Sequence, residues 1–293
     1  MNNMNTANKV LACIDGLANT HGVIDWAAWA AGRLQAPLEF LHVLERHPER
    51  SDNHDFSGTI GIDAQQDLLQ RLSDADAVLA KRAQEPGRQM LAQARARAEA
   101  AGAGPLDGRL RHGELAETVQ ELSAGAQLVV LGEHVHASHA AARKIHLDHH
   151  VEQVIRSVRC PVLVATSDHF SAPQRVVLAF DGQANARQAA QALLQQPLLE
   201  CLPVLLVMAG ENTAAAQRRL DEASEALRGA GREVDSLLEP GDVHEVVPRA
   251  AQSRGPALLV MGAFGHARWR QWLLGSTTST LLRRSGVPVL VLR

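Results

Sequence analysis

The sequence predicts an α/β protein made of two tandem domains, each a parallel sheet with helices on both faces. Three observations support this. Short apolar runs bounded by turn residues recur along the chain, Ala-rich helical stretches separate them, and the whole series occurs twice. Continuous apolar runs of this length fit strands buried on both faces. Strands alternating with helices imply right-handed crossovers and a doubly wound layout, with ligands in the crevice beyond the carboxyl ends of the strands.

Taken in order, the copies open with KVLACID (9–15) and RVVLAFD (175–181), each led by a basic residue and closed by Asp, then Gly. Helical stretches GVIDWAAWAAGRL and ARQAAQALLQQ follow, then second strands LEFLHVL (38–44) and PVLLVMA (203–209). A Gly-acid turn leads into a helix in both copies, HGELAETVQELS and PGDVHEVVPRAA. The strands QLVVLG (127–132) and ALLVMG (257–262) come next, and RCPVLVA (159–165) and GVPVLVL (286–292) close each copy. Asp15 and Asp181 lie 166 positions apart and Gly113 and Gly241 lie 128 apart, so the first copy carries 38 additional residues. They fall mainly in 46–92, a polar loop followed by a segment of high helix propensity running to about Ala101. The first domain is read as 1–168 and the second as 174–293, with a polar, Pro-containing link at Ser167–Pro173.

Composition excludes several classes. Hydrophobic residues make up 46% and charged residues 21%, enough to bury a core and too apolar for a disordered chain. The net charge of -3 argues against nucleic acid or an anionic membrane as the main partner. Aromatic residues are 3% with no Tyr, which removes the stacking platforms of single-strand binders. Cys13, Cys160 and Cys201 are scattered with no CxxC pair, as expected of reduced, mostly buried thiols in a cytoplasmic protein. The opening MNNMNTANKV lacks the apolar run of a secretory signal, and no stretch approaches the roughly 18 apolar residues of a membrane helix.

The second copy carries the sharpest chemical signal. Its fourth strand ends in Gly262-Ala-Phe-Gly265, and nine residues later Gly275-Ser276-Thr277 stands at a predicted helix start. Gly262 and Gly265 let the backbone turn sharply and approach a ligand closely. Gly275, Ser276 and Thr277 offer N–H groups and hydroxyls where the helix dipole favours an anion, and Arg268 and Arg270 add positive charge. On spacing alone, the same glycines also suit a strand end and a helix cap without a ligand.

The pattern G-x2-G-x9-G-[ST], followed by a helix and the strand VPVLVL, resembles the ATP-binding signature of the universal stress protein family. Asp181 after the first strand and the Pro-Gly-Asp turn at 240–242 match it too, and the resemblance covers nearly the whole chain as two tandem copies. It implies Rossmann-like domains with five parallel strands in the order 3-2-1-4-5, whose last strands pair. It also implies ATP, with Mg as an option, as the ligand of the C-terminal domain. Asp181 would lie near the ribose or a phosphate-bound metal, and Val207 or Met208 would offer backbone contacts to adenine. Gly262, Gly265, Gly275, Ser276 and Thr277 would hold ribose and phosphates. The implied function is nucleotide-dependent stress response or survival signalling, with the domains packed as a pseudo-dimer through 162–165 and 289–292 and a homodimer also open.

The first copy departs from the signature. Gly132 is present, but Val135 takes the second glycine position, and Asp148, His149 and His150 stand opposite Gly275, Ser276 and Thr277. An acid where a phosphate would sit is repulsive, so this site reads as lost for ATP or redirected to another ligand. Asp15 reads as a turn former. Six histidines fall within His134–His150, and zinc there is the minor alternative to a solvated loop. No GxSxG, HExxH or GxxxxGK[ST] occurs, so no catalytic residue is assigned. The alternatives are a slow ATPase or nucleotidyl-transfer enzyme in the same crevice, His266 orienting a water, and an interaction scaffold without a nucleotide.

Overall fold

The apolar runs assemble into one ten-stranded sheet. In the structure, a computed structural model, residues 8–44, 84–133, 149–262 and 276–292 are described. The first half contributes β1 (Lys9–Cys13), β2 (Leu38–Leu44), β3 (Leu106–His112), β4 (Ala126–Gly132) and β5 (Val162–Ala165). The second contributes β6 (Arg175–Ala179), β7 (Val204–Ala209), β8 (Val234–Glu239), β9 (Ala257–Gly262) and β10 (Val289–Leu292). The strand order is β3-β2-β1-β4-β5-β10-β9-β6-β7-β8. Each half therefore has the expected order 3-2-1-4-5, with every neighbouring pair inside it parallel.

The halves meet where β5 and β10 pair antiparallel, Val289 opposite Val164, Leu290 opposite Leu163 and Val291 opposite Val162. These four-residue strands are buried throughout. Because the seam is antiparallel, the carboxyl ends of the two half-sheets lie at opposite edges.

Helices sort by face. α1 (Thr20–Leu34), α2 (residues 84–100), α5 (Ala184–Leu194) and α6 (Ala214–Gly229) cover one face. The core beneath them runs across both halves, from Val10, Phe40 and Trp26 through Leu163 and Leu290 to Leu178 and Leu206. α3 (Leu115–Leu122), α4 (His149–Ser157), α7 (Val243–Gln252) and α8 (Ser276–Arg284) cover the other face. Their core joins Leu11, Val129 and Val164 to Val177, Leu259 and Val291. Alternation along each strand sends successive side chains into these two layers.

The internal repeat extends to the turns. Gly113 and Gly241 share φ +137° before α3 and α7, and Gly16 and Gly182 have φ +78° and +73° after β1 and β6. Asp242 caps α7 by accepting the His244 N–H at 2.7 Å. The link after β5 is less polar than its composition implied, because Phe170 packs edge-on against Trp26 with ring centroids 4.9 Å apart. The expectation of mostly buried thiols needs correcting. Cys13 is buried, Cys160 half-buried and Cys201 exposed, the last in a left-handed turn with φ +64°. Among the described residues, no helix is long and apolar enough to cross a membrane.

The seam yields a quantitative expectation. Leu163 and Leu290 are both 0% exposed and directly opposed. Leu163→Ala or Leu290→Ala is expected to cost about 2–5 kcal/mol. In urea unfolding, the double substitution should cost less than the sum of the singles, because the pair shares one packed site.

Candidate functional site

In the second half the crevice forms between the carboxyl ends of β6 and β9. These neighbours send their chains to opposite faces, into α5 and α8, which leaves a cleft at the switch in strand order. Asp181, exposed after β6, accepts the Gln183 N–H at 2.8 Å, closing an Asx turn over Gly182. The Val207 carbonyl accepts the Phe180 N–H at 2.9 Å. Val207 is therefore laddered beside the Asp181 turn. The Met208 side chain is 4% exposed and belongs to the core.

Gly262 ends β9 against α5. A Cβ there would stand 3.1 Å from Ala189 Cβ and 3.2 Å from the Asn185 carbonyl oxygen. Helix packing alone thus requires a small residue at this position. Ser276 opens α8, whose first turn, Thr277 included, holds no acidic residue. Gly265, Gly275, His266, Arg268 and Arg270 lie outside the described residues.

The first crevice, between β1 and β4, has the same backbone and different partners. Asp15 accepts the Leu17 N–H at 2.9 Å, matching the turn at Asp181. His42 occupies the position of Met208 and donates its Nδ1–H to the Ile14 carbonyl at 2.8 Å. Glu133 follows β4 where Ala263 follows β9 and is 5% exposed. Asn19 donates its side-chain amide to the Glu133 carbonyl, so it makes no capping bond to α1. The linker supplies that cap. Asp168 accepts the Gly22 N–H at 3.1 Å and pairs with His21 Nδ1 at 3.0 Å. Gly22 makes room for this contact, since a Cβ would stand 2.1 Å from the Ser167 carbonyl oxygen.

The described part of α4 runs from His149 and has Glu152 in its first turn, paired with Arg156, whereas the described part of α8, from Ser276, has no acidic residue there. In the first half, Glu152, paired with Arg156, and Asp168, which accepts the Gly22 N–H, place carboxylates beside α4 and the start of α1. His134, His136, His139, His146 and Asp148 lie outside the described residues, and among those described no group of three potential metal ligands is found.

A family model described as the universal stress protein family matches residues 6–166 and 202–293. The chain belongs to the universal stress protein family. It is of the tandem type, with one match in each half. It is 30% identical over 288 residues to universal stress protein Slr1230 of Synechocystis sp., covering 97% of this chain and 99% of that one. The fold is similar to that of a universal stress protein from Archaeoglobus fulgidus, with TM-score 0.65, 19% identity and 99% of both chains covered. It is also similar to that of PA1789 from Pseudomonas aeruginosa, with TM-score 0.56, 18% identity and 97% and 92% of the chains covered.

The linker cap of this tandem universal stress protein is expected to depend on pH. Partial burial disfavours the Asp168 carboxylate, but the His21 hydrogen bond, the Gly22 N–H and the His21 charge outweigh that and hold its pKa below the usual range. A depressed folded-state pKa contributes stability that is present above the unfolded value of 3.8 and is lost as pH falls through the folded value. Asp168→Ala should therefore cost about 0.5–1 kcal/mol at pH 7, as for an exposed helix cap. Urea unfolding at a pH below the folded value should no longer distinguish the variant from the parent.

Proposed function

We propose that this protein binds ATP, with Mg, in the C-terminal half and acts in stress response or survival signalling through binding rather than turnover. The observation that carries this reading is the crevice at the switch in strand order between β6 and β9, with Asp181 exposed at the end of β6. The described part of α8, Ser276–Arg284, holds no acid, while that of α4, His149–Ser157, has Glu152 in its first turn, paired with Arg156. A helix start without an acid favours a phosphate, and one with an acid disfavours it.

The residues suit the nucleotide. Gly262, Gly265, Gly275, Ser276 and Thr277 would hold ribose and phosphates through backbone N–H groups and hydroxyls. Val207 or Met208 would meet adenine through the backbone. Asp181, exposed beside them, offers a hard oxygen for Mg or a hydrogen bond to ribose. When bound, the metal would neutralise phosphate charge. The N-terminal half, here taken as 1–168, is a partner whose crevice carries His42, Asn19 and Asp168 bonded to its own backbone, and 174–293 is the nucleotide-binding unit. We place the protein in the cytoplasm, in keeping with its scattered, reduced thiols.

Mass spectrometry of small molecules released from the purified protein should find adenine nucleotide. Gly275→Asp should weaken ATP binding by more than about 100-fold, since it adds a charge and a Cβ where phosphate approaches. Equal affinity of variant and parent would refute the assignment of this loop. Saturable binding without steady-state phosphate release supports the binding role, and sustained release supports the ATPase.

A further inference from the structure

The two halves differ in the groove between their first two helices. Gly16 and Gly182 turn into α1 and α5, and Gly102 and Gly231, φ +82° and +83°, end α2 and α6. In this register Met90 matches Arg219. The Met90 methyl and the Arg219 Cδ each lie 2.7 Å from where a Cβ on the facing glycine, Gly16 or Gly182, would stand. Asp25 then matches Gln191, and Arg97 matches Ala226. In the first half, Arg97 and Asp25 form a two-pronged bridge, both bonds 2.7 Å, across the groove. In the second half, Gln191 and Ala226 replace the bridge, and a cavity of about 190 Å³ lies between α5 and α6.

This cavity is polarised along its length. Phe180, 4% exposed, lines it with Ala190, Leu194 and Leu227. Leu194 and Leu227 lie in the last turns of their helices, at the end away from the carboxyl edge of the half-sheet. Arg187, from the first turn of α5, and Arg219, whose stem crosses the Gly182 turn, flank the opposite end. No ion pair to either guanidinium is found among the described residues. Glu222 is the one carboxylate in the lining. The charge balance favours an anion, and the floor favours an apolar body.

We propose that the α5–α6 groove is a second ligand site, taking a small amphipathic carboxylate, either a single ring or a short acyl chain. The carboxylate sits between Arg187 and Arg219, whose planar forks suit its two oxygens. The apolar part lies over Phe180 toward Leu194 and Leu227. An apolar cavity of about 150 Å³ holds benzene, so this one has room for a ring or a chain of similar bulk. In the first half, the Asp25–Arg97 bridge and Met90 stand at the matching positions. The proposal does not rest on nucleotide binding in the crevice.

Calorimetric titration of the full chain with sodium benzoate and sodium octanoate tests it, with benzyl alcohol as the neutral control. One of the carboxylates should bind saturably at one site, and benzyl alcohol about tenfold more weakly. Arg187→Gln combined with Arg219→Met should weaken binding about tenfold or more, and Glu222→Gln should strengthen it. Gln191→Asp with Ala226→Arg, which transfers the first half's bridge, should abolish binding while the thermal unfolding midpoint stays level or rises. Gly275→Asp should leave carboxylate binding unchanged, which separates this site from the crevice. No saturable binding of either carboxylate at millimolar concentration would overturn the proposal, as would equal binding by the bridge-transfer variant or by the variant lacking both arginines.

Discussion

The antiparallel pairing of β5 with β10 is the constraint on which the rest of the molecule depends. Each strand is four residues long and buried along its whole length. Alone, either would be an apolar sheet edge open to aggregation. Paired, they fuse two half-sheets and let both helical layers share cores that cross the seam. The opposed direction also separates the two carboxyl edges, so each half keeps its own crevice and can change it without disturbing the other.

The divergence of the crevices follows from that independence. Both begin with an Asx turn at the end of their first strand, Asp15 and Asp181. In the first half the surrounding groups are committed to the protein itself. His42 bonds the Ile14 carbonyl, Asn19 bonds the Glu133 carbonyl, and the α1 start that Asn19 leaves uncapped is capped by Asp168 from the linker. Buried donors and acceptors need partners, and here the chain supplies them. The second half has Met208 in place of His42, and among the described residues of α8 there is no acid.

Much of the fold was legible in the sequence because buried parallel strands read as continuous apolar runs. That pattern marked eight of the ten strands and the repeat; the strand order and the pairing of the last strands were implied by the family resemblance. β3 and β8 were not recognised. LDGRLRH alternates Asp107, Arg109 and Arg111 with other residues, and VDSLLE carries Asp235, Ser236 and Glu239; both are outer strands with one neighbour each, and such polar content resembles a connection. The docking of Asp168 and Phe170 on α1 was invisible too, since it joins residues 144–147 positions apart through tertiary contact. Residue type suggests mostly buried thiols, and the left-handed turn at exposed Cys201 has no signature in composition. Gly262 shows the limit of motif reading, because helix packing and ligand approach both call for a small residue there.

Native-state hydrogen exchange tests the fused sheet most directly. If the seam holds the two halves as one cooperative unit, the ladder amides of Val162–Val164 and Val289–Val291 exchange only through global unfolding. They should then be among the slowest in the protein, and those of the outer strands β3 and β8 should exchange faster. Seam amides exchanging as fast as the outer strands, with each half retaining its own slow core, would contradict it and show two sheets that merely abut.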